Sequence, residues 1–217
     1  TVRARMLLFA ASPLVNGNPW YKDYRNKSGE LIFNPTYDPQ KWVKAAEACK
    51  LCIDEAEKAV MAETDRLMGI QGKRSVDSLH KELGHIMWEY VGMGRTKEGL
   101  EEGLKQLKAL REEFNSNLFI PGKKEGLNVE LDKAIHLRDF ILMGELVAYD
   151  ALHREESCGG HFREEHQTEE GEAKRDDENF FYVGCWEYQG DDTKTPELIK
   201  EPLEYEAIKV QTRNYKN

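Results

Sequence analysis

Four polar residues, Asp38, Ser75, Thr96 and Asn128, each stand just before a stretch whose apolar residues recur at helical spacing. Between the stretches lie breaks made of glycine and proline. This punctuation constrains the fold more than anything else in the chain. A short side-chain oxygen accepts from the free N–H groups of a first helical turn, whereas glycine and proline end one. Asp38 is followed by Pro39, which has no N–H to leave unsatisfied. Trp42, Ala45, Ala46, Cys49, Ile53, Ala56, Val60 and Leu67 then repeat to about Met68, where Gly69 and Gly72 break an unusually long pattern. Ser75 opens a helix with Val76, Leu79, Leu83, Ile86, Met87 and Tyr90 on one face, ended by Gly92 and Gly94. Thr96 opens another carrying Leu100, Leu104, Leu107, Arg111 and Phe114, stopped before Pro121-Gly122. Asn128 opens the last, with Leu131, Ile135, Phe140, Leu142, Leu146, Tyr149 and Leu152.

None of these helices is stable alone, and short connections favour antiparallel neighbours, so the pattern predicts a three-helix bundle. Val2 to Ala11 reads as the end of a further helix stopped before Pro13, and residues 13–38 as a turn-rich loop. Phe181–Tyr188 and Leu203–Val210 have β-type content and are predicted to pair as a short ribbon on the bundle's flank. The fold class is therefore mainly α: a three-helix bundle with an irregular or β C-terminal extension, preceded by a helix-loop-helix segment. The expected divisions are residues 1–60, 61–153 and 154–217.

Composition narrows the partners. Of 217 residues 33% are charged and the net charge is −9, which repels phosphate backbones, and no basic stripe with interleaved aromatics offsets it. Nucleic acid is excluded on that ground. No apolar run approaches the roughly 20 residues of a membrane span. Arg3 and Arg5 before Met6–Ala11 imitate a signal peptide, but the apolar stretch is too short for one. The chain starts at Thr1 rather than at methionine, as a piece of a longer protein would. Four cysteines, two of them a helical turn apart, make no disulfide framework and suit a reducing compartment.

The residues that invite chemistry lie in one charged run from Arg154 to Phe180. His153, Cys158, His161 and His166 surround the Gly159-Gly160 turn. Their types suit zinc, but structural zinc sites pair their ligands tightly and no second thiolate lies near, so no metal is expected. Cys158 and His161 are too close in sequence for the fold to set a nucleophile–base geometry, and no catalytic residue is assigned. Cys49-x-x-Cys52 lies inside a helix, away from the N-terminus that would stabilise a thiolate, and reads as two small core residues. Neither Gly-x-Gly-x-x-Gly, Gly-x-x-x-x-Gly-Lys-Ser/Thr nor His-Glu-x-x-His occurs, so no nucleotide cradle and no cofactor-binding residue is expected in this chain. Trp20, Tyr21 and Tyr24, beside Asn16 and Asn18, have the makings of a sugar-stacking platform.

Two family resemblances add to this reading. Ser75–Gly84, Met87–Met93, Gly144-Glu145-Leu146, Arg154–Glu165 and Arg175–Asn179 together resemble the C-terminal part of succinate dehydrogenase/fumarate reductase flavoprotein subunits, from about Leu67 to the C-terminus. Many members have Arg-Gly-Ala-His where this chain has Cys158-Gly159-Gly160-His161, so no role of an arginine carries over to position 158. The resemblance implies a helical domain and C-terminal extension that pack against a flavin domain. In the parent subunit that domain carries FAD and the groups for succinate/fumarate interconversion. It also implies an iron–sulfur partner subunit and a cytoplasmic site peripheral to the inner membrane. On this resemblance Cys158, His161, Arg163 and Arg175 are domain-contact residues, and the chain alone is expected to be inactive.

Residues 1–60 resemble something different. Arg3–Asn18 and Tyr37–Ala46 look like an internal piece of SusD/RagB-type glycan-binding outer-membrane lipoproteins. That implies a glycan partner and an outer-membrane location for this segment. The two resemblances meet between about Lys58 and Arg66, as in a chimera joined inside one helix. An inactive helical scaffold is the remaining expectation.

Overall fold

A computed structural model describes residues 1–211, which separate into two compact units, Thr1–Arg66 and Leu67 onward. In the first unit, α1 (Val2–Ala11) leads through a single 3-10 turn, Pro19–Tyr21, to α2 (Gln40–Gly69), which runs across the boundary between the units. Asn16 organises this unit. Its side chain is buried, donates to the Asp38 carbonyl at 2.9 Å and accepts from the Asp38 N–H at 3.0 Å. The end of α1 is thereby tied to the start of α2, where the Asp38 carboxylate accepts from Gln40 N–H at 2.9 Å.

The spaced apolar residues of α2 do not form a core stripe. Of the eight predicted for it only Ala45 and Leu67 are buried, while Ile53 and Val60 are exposed. Cys49 and Cys52 are half-buried free thiols rather than core residues. Periodicity records that a helix could be amphipathic; it does not supply a neighbour to cover the apolar face.

The second unit holds the bundle: α3 (Val76–Tyr90), α4 (Lys97–Asn117) and α5 (Val129–His153). Ser75, Thr96 and Asn128 cap these helices as their sequence positions predict, each accepting from the N–H three residues on, at 3.3, 3.0 and 3.1 Å. Leu79, Leu83 and Ile86 of α3 meet Leu100, Leu107 and Phe114 of α4 and Leu137 and Ile141 of α5 in one core. Each such side chain contributes about 1.5–3 kcal/mol on burial.

In α5 the buried line is Leu131, Ala134, Leu137, Ile141, Gly144, Ala148 and Ala151. Of the seven residues predicted for it only Leu131 is buried, and Phe140 is exposed. The helix is apolar on more than one face, and the close approach of three helices selects the face with small residues. A short parallel pair, β1 (Arg74–Ser75) with β2 (Leu118–Phe119), ties the start of α3 to the end of α4. Gly72 makes the approach possible, because a Cβ there would lie 1.9 Å from the Asn117 carbonyl carbon.

Beyond α5 the chain forms an irregular loop, a short helix α6 (Asp177–Phe180) and an antiparallel ribbon of β3 (Tyr182–Glu187) with β4 (Glu197–Pro202). The second strand thus precedes the predicted Leu203–Val210. Pro202 has no N–H for the ladder and closes it. Tyr182, Gly184 and Trp186 alternate toward the bundle, and Trp186 donates to Asp150 of α5 at 2.7 Å. Among the described residues no helix is long and apolar enough to cross a membrane.

Candidate functional site

The charged run after α5 forms a strap over three helix ends. Its centre is Arg163, with 2% of its side chain exposed. The last carbonyls of a helix have no intrahelical partner and carry the negative end of its dipole. Arg163 Nη1 meets those of α5, donating to Ala151 at 3.0 Å, Leu152 at 3.3 Å and Arg154 at 3.5 Å. The backbone of Arg163 is fixed as well, its N–H donating to Ser157 Oγ at 2.8 Å while the Ser157 hydroxyl donates to its carbonyl at 3.1 Å.

Arg95 does for α3 what Arg163 does for α5. Its Nε donates to the carbonyls of Val91 at 3.2 Å and Gly92 at 3.0 Å. The strap pairs with it through the backbone: Arg95 N–H donates to Phe162, and Glu164 N–H to Arg95. Glu165 then completes the third helix end. Its carboxylate accepts from Lys97 N–H in the first turn of α4 and from Arg163 Nε at 3.2 Å. Burial works against its ionisation, but those donors and the charge of Arg163 keep its pKa below the usual carboxylate value.

His161 stands between the two cations. One ring nitrogen, Nε2, lies 2.8 Å from the Arg154 carbonyl, and Nδ1 lies 2.8 Å from Arg95 Nη1. A carbonyl only accepts and a guanidinium only donates, so the ring carries its hydrogen on Nε2 and accepts through Nδ1. Burial lowers its pKa; the bond to the Arg154 carbonyl raises it, and Arg95 and Arg163 lower it further. The pKa of Arg95 is itself lowered, first by burial. The imidazole is thus a neutral spacer with both nitrogens occupied, and it cannot act as base toward Cys158.

Cys158 and His161 exchange backbone hydrogen bonds across Gly159, whose φ is +61°, so they flank a tight hairpin that leaves the thiol exposed. Glu156 is buried and accepts from Arg154 Nε at 3.3 Å and from Asp176 N–H at 3.0 Å. Arg175, half-buried beyond it, pairs with Asp177 at 2.5 Å. His153 packs edge-on against Trp186, at 5.4 Å between ring centroids. No group of three His, Cys, Asp or Glu among the described residues could hold a metal ion.

The four residues singled out in the strap therefore sit in one loop with different surroundings. Arg163 and His161 face inward, Cys158 faces outward and Arg175 is intermediate. Arg95, Ser157 and Glu165 complete the arrangement; Ser157 and Glu165 lie inside the Arg154–Glu165 signature without standing out in it, and Arg95 lies outside every signature stretch. Arg95 follows a glycine in a short turn, and only the third dimension brings it to a residue 66 positions later.

A flavin does not fit the residues present. Dinucleotide cradles need a glycine-rich turn between a strand of a parallel sheet and a helix. The described residues offer one parallel pair two residues long. In the first unit Trp20 is 82% exposed, while Tyr21 holds Tyr24 edge-on at 5.6 Å and Phe33 at 5.1 Å.

Comparison with known proteins identifies the strap and bundle. A family model described as fumarate reductase flavoprotein C-term matches residues 80–215. A fumarate reductase flavoprotein subunit of Serratia is 30% identical over 141 residues, covering 65% of this chain and 23% of that protein. A succinate dehydrogenase flavoprotein subunit of Rickettsia bellii is 26% identical over 124 residues, covering 57% and 21%. The solved structure of quinol-fumarate reductase with menaquinol molecules superposes with a TM-score of 0.62 over 84% of this chain and 31% of that one. At 24% identity it bears on the fold alone. The chain spans about a fifth of the length of the curated relatives it matches.

Proposed function

The chain belongs to the fumarate reductase flavoprotein C-terminal family, and from that premise we propose that residues 67–217 are the docking part of a succinate dehydrogenase/fumarate reductase flavoprotein subunit. In this reading the parent subunit interconverts succinate and fumarate with FAD, alongside an iron–sulfur subunit at the inner membrane. The present residues pack against its flavin domain and perform none of that chemistry. One observation carries the proposal: the family match falls within a compact unit that has its own core. Within the strap, His161 and Arg163 shape the loop, and the exposed Cys158 with Arg175 meets the flavin domain.

The test mixes the full chain with an FAD-loaded fumarate reductase flavoprotein from which the matching C-terminal region has been removed. A complex on size exclusion, weakened by Arg175→Glu, supports the reading. Absence of any complex, or flavin binding and succinate-dependent dye reduction by the chain alone, overturns it.

We propose further that residues 1–60 are a fragment of a SusD/RagB-type glycan-binding protein joined within α2. The support is that the boundary between the compact units, at Arg66, lies at the edge of the predicted join. Sequencing the parent gene across codons 50–75 tests the join. A glycan role for Trp20, Tyr21 and Tyr24 is abandoned if the unmutated chain has no oligosaccharide affinity.

A further inference from the structure

Along α2 an apolar line stands uncovered. Ala46, Cys49, Ile53, Ala56 and Val60 recur at alternating intervals of three and four residues. That is the seven-residue repeat of a coiled-coil seam, which stays on one side of a helix when a second helix winds against it. Ile53 is 63% exposed and Val60 62%, Ala46 and Ala56 are exposed, and Cys49 is half-buried. Leu51 and Met61 are exposed off this line as single residues.

Charge along the helix says what covers the seam. The half before Ile53 is net positive, with Lys41, Lys44 and Lys50, and the half after it is net negative, with Asp54, Glu55 and Glu57. A second α2 lying parallel would set like halves together, whereas an antiparallel one sets each half against its opposite. A two-fold axis between Asp54 and Glu55, at the midpoint of α2, brings the seams into register. Ile53 then meets the partner's Ala56, and Cys49 meets the partner's Val60, so each layer sets a branched side chain against a small one. Lys50 and Glu57 flank the seam, one residue after Cys49 and Ala56. The same register sets Lys50 beside the partner's Glu57, and the symmetry makes that pair twice. Lys50 already donates to Asp54 at 3.0 Å, an exposed pair that uses only part of its donor capacity. Sliding the helices by one repeat would set Lys50 against the partner's Lys50, or Glu57 against the partner's Glu57. Charge therefore selects the register as well as the direction.

We infer that α2 is a self-association surface, closed by the α2 of a second copy of this chain in an antiparallel coiled coil. Nothing in it depends on the flavoprotein reading. The test is sedimentation equilibrium of the full chain under reducing conditions, which keep the exposed Cys158 and Cys185 from making covalent dimers. The chain should pass reversibly from monomer to dimer as its concentration rises. Ile53→Glu should weaken the dimer about tenfold or more and leave the melting of the dilute monomer unchanged, because Ile53 is exposed in the single chain. Lys50→Glu and Glu57→Lys should each weaken self-association about fivefold or more, since each turns two attractive pairs into two repulsive ones. Mixed in equal amounts, the two variants should regain the parent's affinity to within about threefold, because the hybrid dimer restores both opposite-charge pairs. A role of Lys50 or Glu57 within one chain would give no such recovery. A chain still monomeric at about 1 mM, a dimer indifferent to Ile53→Glu, or a mixture no tighter than either variant alone overturns the inference.

Discussion

His161 shows how one side chain can be required for its shape and its neutrality together. It bridges a carbonyl and a guanidinium, and a proton on Nδ1 would set a cation against Arg95 and lose the accepting nitrogen. Its folded pKa lies below the ordinary imidazole value of 6.5. The unfolded chain therefore binds more protons between the two values. The stability this site contributes is fully present above about 6.5 and is lost as pH falls through the lowered folded value. His161→Gln keeps a donor and an acceptor without the titration. We expect the variant to differ from the parent by less than about 1 kcal/mol at pH 7.5. Its denaturation midpoint should fall less between pH 7 and pH 5. Urea unfolding across that range checks both, and parallel pH profiles would remove the titration from the account.

At the scale of elements, the caps were legible because each is decided within four residues. Asp38, Ser75, Thr96 and Asn128 need only a side-chain oxygen and a free N–H nearby. The buried line of α5 was not legible, since Ile135, Phe140 and Leu146 compete locally with Ala134, Ile141 and Ala148 and only helix packing decides. The second ribbon strand, Glu-Leu-Ile-Lys-Glu-Pro, has little β character of its own; register against Tyr182–Glu187 makes it a strand. The pair of β1 with β2 likewise depends on contact between distant segments, where Gly72 N–H donates to the Leu118 carbonyl and Lys73 N–H to that of Asn117. Gly72→Ala should destabilise the second unit by about 3 kcal/mol, because the clash is with backbone. Denaturant melts measure this, and a loss below about 0.5 kcal/mol would mean that the β1–β2 connection yields freely.

At the scale of the molecule, the two compact units have unequal cores. The first buries mainly Ala4, Ala11, Val15 and Ala45, whereas the second buries a continuous set from Leu67 to Ala151. Opening is easiest where few apolar contacts resist it. Limited trypsin digestion should therefore cut within residues 1–66 first and leave a resistant fragment beginning near Leu67, read by mass spectrometry. Early cleavage within α3–α5 would contradict that order. The location of the strap was legible as a signature, but its role was not. A run of histidines, cysteine and charge has the residue types of a reaction centre, and only burial and partners reveal side chains that terminate helices.

The strap also bears on the order of folding. The contact of Glu165 with Lys97 spans 68 residues, and that of His161 with Arg95 spans 66. Arg163 has no carbonyls to receive it until α5 has ended where it does. Such contacts are costly to close early and belong on the native side of the barrier. Arg163→Met, which strips a buried cation from its acceptors, should accelerate unfolding about a hundredfold or more and leave the refolding rate nearly unchanged. Stopped-flow chevrons resolve the two limbs. If slower refolding carries the loss instead, the strap belongs to the folding nucleus. Otherwise it is a latch that closes last and governs how long the bundle persists.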